Sequence, residues 1–405
     1  MSNGNNETVC VVDVDKAMPP AMTVMVIAGE ASGDHHAARM IKAMQDIRSD
    51  IRFRGIGGEH MRRAGAEILV DSSDMAVVGL VEVLANYRFL RGVLEQMRNE
   101  LRHSQPDLLI LVDYPDFNLR LATTARELGI KVLYYISPQI WAWRQGRVYK
   151  IKKLVDMMAV VFPFELPFYE QAGVPARFVG HPLVDEVYSE LTHEHAAKEF
   201  GLDPSKPVLG LFPGSRRSEV KRLLPIILES AQIIQKEIPD IQFILPHAST
   251  LSDIFLRNFL DNSPVKVTVV KGRPYDVMKA CDTIICASGT VTLEIALQQI
   301  PMVVVYRIAP LSYQIMSRMI KVEHIALCNI VAGQRIVPEL IQGDASPEAI
   351  AQTTMEILGS PSLAENIRAN LECVRENLGE GGASKHVARL ALSLIENAAN
   401  PRQLQ

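Results

Sequence analysis

Long hydrophobic runs are missing from this chain of 405 residues. No apolar stretch approaches the roughly 18 residues that a membrane-spanning helix needs. Cysteine is sparse: Cys10, Cys281, Cys286, Cys328 and Cys373 make an odd set of five at no metal-ligand spacing. That excludes a disulfide framework and a zinc site, and fits reduced thiols in a cytosolic protein. Neither sign of charge dominates, and a net charge of -4 argues against a dedicated nucleic-acid binder. Signature loops are absent as well. There is no Gly-Lys dipeptide and so no Walker A loop, no HExxH helix and no GxSxG elbow. His35, His36 and His181 stand without a ligand pattern, so no metal is assigned.

What is present is apolar residue in quantity, 48% of the chain against 22% charged. That much supports large cores, and the length exceeds one ordinary core, so two domains are expected. Residues 1–21 are polar and acidic with a Pro19-Pro20 pair; they lack the basic-then-apolar plan of a secretory leader and read as a disordered lead. From Thr23 the pattern alternates strand and helix. TVMVIA, IRFRGI, DLLILV, IKVLYYI, MMAVVF and ARFVG read as strands of a first half. IQFILP, VKVTVV, DTIICA and MVVVYR follow in the second, after LGLF. Parallel α/β in both halves implies two doubly wound domains facing a cleft, 22–187 and 206–365, with a linker near Glu186 to Ser205 and amphipathic helices over 366–405.

LGLFPGSRRSEVKRLLPIIL, Leu209 to Leu228, is the stretch richest in implied chemistry. An apolar run ends at Phe212, turns through Pro213, Gly214 and Ser215, and continues with Val220, Leu223, Leu224, Ile227, Ala231 and Ile234 at helical spacing. Such a turn offers free backbone N–H groups at the positive end of a helix, a setting that favours phosphate. Arg216 and Arg217 add charge suited to a diphosphate, although an ordinary connection with solvated arginines explains the segment equally well. CASGTVTLEIAL repeats the logic: Ser288, Gly289 and Thr290 follow a strand, and Glu294, one turn on, suits the two hydroxyls of a ribose. Two anion-ready turns in one half point to a nucleoside diphosphate.

The first half carries the carboxylates. Asp113 closes the strand DLLILV, at the strand end where open α/β sheets bind ligands, and suits a general base. Asp116, after Pro115, is expected to cap a helix. The glycines of GIGG, Gly55 to Gly58, hint at a dinucleotide fingerprint, but His60 stands where its third glycine belongs. Met75 to Arg102 is mostly helical. Its apolar start, Val78, Leu80, Val81, Val83, Leu84, Tyr87 and Leu90, is studded with Arg88, Arg91 and Arg98, and fits either a core helix or a membrane interface. Trp141 and Trp143, interleaved with Arg144 and Arg147, suit a sugar ring and a phosphate, or nucleic acid.

GEASGD, GIGG with HMRRAG, VGLVEVL, VDYPDFN, SPQIWAWRQGR, PFE with FYE, FVGHP, LFPGSR, ASGT with LE, MVVVYR and LCNIV occur in an order that resembles the lipid-A-disaccharide synthases, from about Val24 to beyond Asn329. The resemblance implies a GT-B glycosyltransferase fold and transfer of 2,3-diacylglucosamine from UDP to the 6-hydroxyl of 2,3-diacylglucosamine 1-phosphate, with inversion and no cofactor. It implies Asp113 as base, with Glu30 as a second candidate or acceptor-positioning group. Gly214, Ser215, Arg216, Ser288, Gly289 and Thr290 would hold the diphosphate, Glu294 the ribose, and Asn329 the nucleotide side of the cleft. It favours the interfacial reading of Val78 to Leu90, with the enzyme peripheral on the inner face of the cytoplasmic membrane, and leaves a homodimer open. The N-terminal lead and Tyr114 beside Asp113 depart from the family pattern. A UDP-N-acetylglucosamine epimerase and a non-catalytic nucleotide-binding protein are the rival readings.

Overall fold

The computed structural model describes residues 22–75, 80–309, 313 and 323–399; for 80–87 and 397–399 it gives the backbone alone. Two sheets, parallel in every described pairing, carry these residues. The first has the order β3-β2-β1-β4-β5-β6-β7 and the second β10-β9-β8-β11-β12-β13. In the first, β1 is Met22–Ala28, β2 Ile51–Gly57, β3 Glu67–Asp71, β4 Leu108–Val112, β5 Lys131–Tyr135, β6 Met157–Val160 and β7 Ala176–Phe178. In the second, β8 is Val208–Phe212, β9 Gln242–His247, β10 Val267–Lys271, β11 Thr283–Ala287, β12 Met302–Tyr306 and β13 Glu339–Ile341. The chain separates into two compact units, one closing at Val132 and taking the chain back from Ala391 onward, the other Leu133–Leu390.

Central strands are apolar from end to end because helices cover both faces of a parallel sheet. Val24 to Ala28 of β1 and all of β4 and β8 are buried. Register then sets the sites. Val24 pairs with Leu108 and Ala28 with Val112, so β1 and β4 finish level. Likewise Phe212 of β8 pairs with Cys286 of β11. In each sheet the strand order reverses between these two strands, which opens the crevice where α/β sheets take ligands.

Helix Arg217–Glu237 shows why its spacing was readable: Val220, Leu223, Leu224, Ile227, Ala231 and Ile234 are all buried in one core with Leu209, Leu211, Phe243 and Leu245. The segment after Met75 is helical as expected, over Leu80–Ser104, with Val93, Leu94, Met97 and Leu101 buried. Helices Pro347–Gly359, Pro361–Asn377 and Ala383–Ala399 form the helical C-terminus.

Two expectations need correction. Asp116 does not cap its helix. Tyr114 holds the N-cap of helix Pro115–Glu127 and Pro115 the first position, because its fixed φ and missing N–H suit that place. The second concerns Tyr188 to Pro207, a polar run whose sequence shows no clear core pattern. It contains helix His193–Glu199, which buries Ala196 and Ala197 and is capped by the Thr192 hydroxyl.

Candidate functional site

At the switch of the first sheet, the turns after β1 and β4 present the carboxylates Glu30 and Asp113. Glu30 takes the N-cap position of helix Ala31–Ile47 with extended backbone, makes no side-chain bond to that helix, and is exposed. Asp113 and Tyr114 both adopt left-handed backbone, at φ 47° and 46°. For a bulky residue that conformation is strained and must be imposed by its surroundings. Asn118, fully buried, imposes it by donating from Nδ2 to the carbonyls of Val112 (3.3 Å) and Asp113 (2.7 Å). Gly29 completes the turn, since a Cβ there would lie 2.6 Å from the Tyr114 ring. Burial, reinforced by the charge of Glu30, pushes the Asp113 carboxyl up to about 6, while the Tyr114 N–H and His36 pull the other way. A carboxylate tuned toward neutrality at a strand end is equipped to take a proton from a hydroxyl.

The GIGG turn is occupied from within. Buried Asp34 accepts from the N–H groups of Gly58 (2.6 Å), His60 (3.0 Å) and Met61 (3.1 Å), so the amides that a dinucleotide phosphate would need serve a side chain instead.

The second sheet opens into a cavity of ≈ 780 Å³ over its strand ends. Gly214, Ser215 and Arg216 after β8 line it, with Ser288, Gly289 and Thr290 after β11 and Glu294 one turn further. Gly214 needs its lack of a side chain twice over: φ is 103°, and a Cβ would meet Glu219 Oε2 at 2.5 Å. Arg216 is largely exposed and pairs with Glu219 at 2.9 Å, so its guanidinium is held at the rim. Ser288 donates from Oγ to the carbonyl of Ile325 (3.0 Å), tying this turn to the cavity wall. Burial, with the charge of Glu186, pushes Glu294 up to about 7. Neutral, it can donate to a hydroxyl as well as accept from one.

A nucleotide-sized cavity at a switch point suits many proteins; relatives narrow the choice. The sequence profile of the lipid-A-disaccharide synthetase family matches residues 24–391. The lipid-A-disaccharide synthase of Trichlorobacter lovleyi is 55% identical over 93% of this chain and 98% of its own. This chain belongs to the lipid-A-disaccharide synthase family. The synthase of Geobacter sulfurreducens is likewise 55% identical, over 92% of this chain and 97% of its own. As a family member the chain is a glycosyltransferase of lipid A biosynthesis. Solved structures agree on the GT-B fold. A UDP-GlcNAc 2-epimerase from Neisseria meningitidis bound to UDP-GlcNAc superposes with TM-score 0.63 at 14% identity, over 92% of this chain and all (100%) of that one. The calicheamicin glycosyltransferase CalG4 gives 0.59 at 14% identity, over 94% and 100%. At such identity they bear on the fold alone.

Within this synthase-family chain, not every expected residue lines a site. Asn329 does not reach the cavity. It is fully buried, donating to the Val337 carbonyl (3.0 Å) and Glu339 (2.7 Å) and accepting from the N–H groups of Ile336 (2.9 Å) and Val337 (3.1 Å). Arg217 turns away too, its guanidinium 4.7 Å over the Phe255 ring. Trp141 is buried edge-on to Phe164, while Trp143 is 40% exposed with the Arg144 guanidinium 4.4 Å over its ring. Of the apolar patch, Val78 lies outside the described residues, as do the side chains of Leu80, Val81, Val83, Leu84 and Tyr87; Leu90 is half-buried.

Sequence reasoning missed Gln139, His247, Thr250 and Tyr306 in the cavity lining. His247 and Tyr306 end β9 and β12, so the strand-end rule applied to every second-half strand would have found them. Glu165 was noted only as part of a motif. It is 1% exposed, accepts from the N–H groups of Val161 (3.3 Å) and Phe162 (3.1 Å), and is raised to about 7 by burial, which outweighs the pull of these amides.

Proposed function

We propose that the enzyme transfers 2,3-diacylglucosamine from UDP to the 6-hydroxyl of 2,3-diacylglucosamine 1-phosphate, with inversion, to give the β-1,6-linked disaccharide 1-phosphate and UDP. The observation that carries this is the meeting, in one cavity, of the turns Gly214 to Arg216 and Ser288 to Thr290 with the carboxyl group of Glu294. Gly214 to Arg216 and Ser288 to Thr290 take the diphosphate, and Glu294 the ribose hydroxyls. Asp113 handles the acceptor: Oδ removes the proton of the 6-hydroxyl as that oxygen bonds to the anomeric carbon. The bond from that carbon to the diphosphate oxygen breaks on the opposite face, and UDP departs with the electron pair. No enzyme nucleophile enters, and a leaving diphosphate met by N–H groups and Arg216 needs no strong acid. Both substrates carry acyl chains, so the same reading puts the enzyme on the inner face of the cytoplasmic membrane.

The test is to incubate pure protein with the two substrates and identify the products by mass spectrometry. Disaccharide and UDP should form in equal amount. Epimerised UDP-N-acetylglucosamine from a non-acylated substrate, with no disaccharide from the acylated pair, would overturn the assignment. In the same assay Glu294→Ala should weaken UDP binding about tenfold or more, because a buried hydroxyl partner is lost.

The pH profile should carry the mark of Asp113. Since the carboxyl titrates near 6 in the fold, kcat/KM should fall as pH drops through about 6, where a solvated aspartate would hold its activity down to about 4. Glu30→Gln removes a charge that raises Asp113, so the acid limb should move to lower pH. A limb that stays in place would remove Glu30 from the coupling.

A further inference from the structure

Apart from the nucleotide cavity, the first turns of helix Arg217–Glu237 and helix Asp253–Leu260 enclose a second cavity of ≈ 400 Å³, lined by Arg217, Ser218, Lys221, Phe255, Asn258 and Phe259. Its charges are unusual for their neighbourhood. Arg216 pairs with Glu219, and Lys271 with Asp253 at 2.6 Å. Among the described residues no ion pair engages Arg217 or Lys221, and Arg217 rests its guanidinium on Phe255. On the same helix as Phe255, Ile254 is 75% exposed, while Phe255 and Phe259, their rings 5.4 Å apart edge to face, pack on the core and line the cavity.

Two uncompensated cations next to an exposed aliphatic side chain and two aromatic rings, on a chain of net charge -4, call for an anion with an apolar body. We propose that this surface docks on the anionic face of a phospholipid bilayer, with lipid phosphates at Arg217 and Lys221 and with Ile254 entering the acyl boundary. An acidic peptide would meet the cations as well, but it has no use for Ile254, whereas a helix lying in an interface gains by burying it. A polynucleotide is disfavoured too, because the rings are held edge to face against the core and present no flat stacking platform. The surface belongs wholly to the second compact unit, Leu133–Leu390. The proposal rests on the membrane-surface reading above for its choice of lipid.

The test is co-sedimentation of full-length protein with vesicles of phosphatidylcholine alone and with one quarter phosphatidylglycerol. Wild type should bind the anionic vesicles more tightly. Lys221→Glu should weaken that binding at least about fivefold, since each cation near such a surface contributes on the order of a fivefold partition. Ile254→Asp should weaken it comparably. Lys236→Glu makes the same charge change about 22 Å further along the same helix and should leave binding at the wild-type level. None of these residues lines the nucleotide cavity, so UDP affinity and melting temperature should hold in all three variants. Equal loss in Lys236→Glu would reduce the effect to net charge, and wild-type binding in Lys221→Glu and Ile254→Asp would dismiss the surface; both overturn the proposal. Should wild type bind neither vesicle, the membrane reading falls with it, while disaccharide formation from short-chain substrates would still stand.

Discussion

Asp113→Asn should lower kcat by roughly two to four orders of magnitude while UDP affinity and melting temperature stay at wild-type values. Asparagine is the right replacement because the position is left-handed, at φ 47°, and asparagine tolerates that conformation better than alanine would. The turn survives the exchange: Asn118 grips the backbone carbonyls of Val112 and Asp113, not the side chain. The amide fills the space of the carboxyl but cannot accept the proton of the acceptor hydroxyl. At about 1.4 kcal/mol per decade, the loss corresponds to about 3–5 kcal/mol of transition-state stabilisation, within the reach of one general base. The acid limb near pH 6 should vanish with the carboxyl, since nothing then titrates in that position. A variant that keeps kcat within tenfold and raises only the KM for the acceptor would recast Asp113 as a positioning group and pass the base role to Glu30.

The parts of this protein that sequence could show are those governed by local periodicity and by single turns. Val220 to Ile234 reads as a helix because each apolar position meets one continuous core. Gly214, Ser215 and Ser288 to Thr290 were legible as separate turns, and the parallel register of β8 with β11 is what brings them to one cavity. β3 and β13 were not legible. Each is a short edge strand, five residues in β3 and three in β13, too few to show a period. Arg216 and Arg217 looked equivalent in the chain, yet Arg216 is the extended N-cap and Arg217 the first helical residue, and one meets Glu219 while the other meets Phe255. Asp34 stood in the sequence only as the last residue of the GEASGD motif. Only the fold shows it reaching across to the GIGG turn and closing a phosphate-like site with its own carboxylate.

Asn329 is the clearest case of a motif residue whose work is done at a distance, and its replacement should produce the largest loss of stability. Beyond its own four bonds, its partner Glu339 accepts from the N–H of Ile325 (3.1 Å) and of Ala326 (2.9 Å), and the Ile325 carbonyl in turn receives the hydroxyl of Ser288. One buried amide therefore supports the wall on which the Ser288 turn rests. Asn329→Leu keeps the branching of the side chain but strands the N–H groups of Ile336 and Val337 and takes a donor from a buried carboxylate. Such a break should cost about 3–5 kcal/mol, enough to lower the melting temperature by about 10 °C. Asn329→Asp tests the electrostatics separately. It faces a second carboxylate toward Glu339, so the loss at pH 7 should be as large, and it should shrink as pH falls and one of the two groups is protonated. If Asn329 instead touched the nucleotide, both variants would melt with wild type and lose UDP affinity alone. The geometry predicts the reverse order: the melting temperature falls first, and UDP binding weakens only as far as the Ser288 turn loosens.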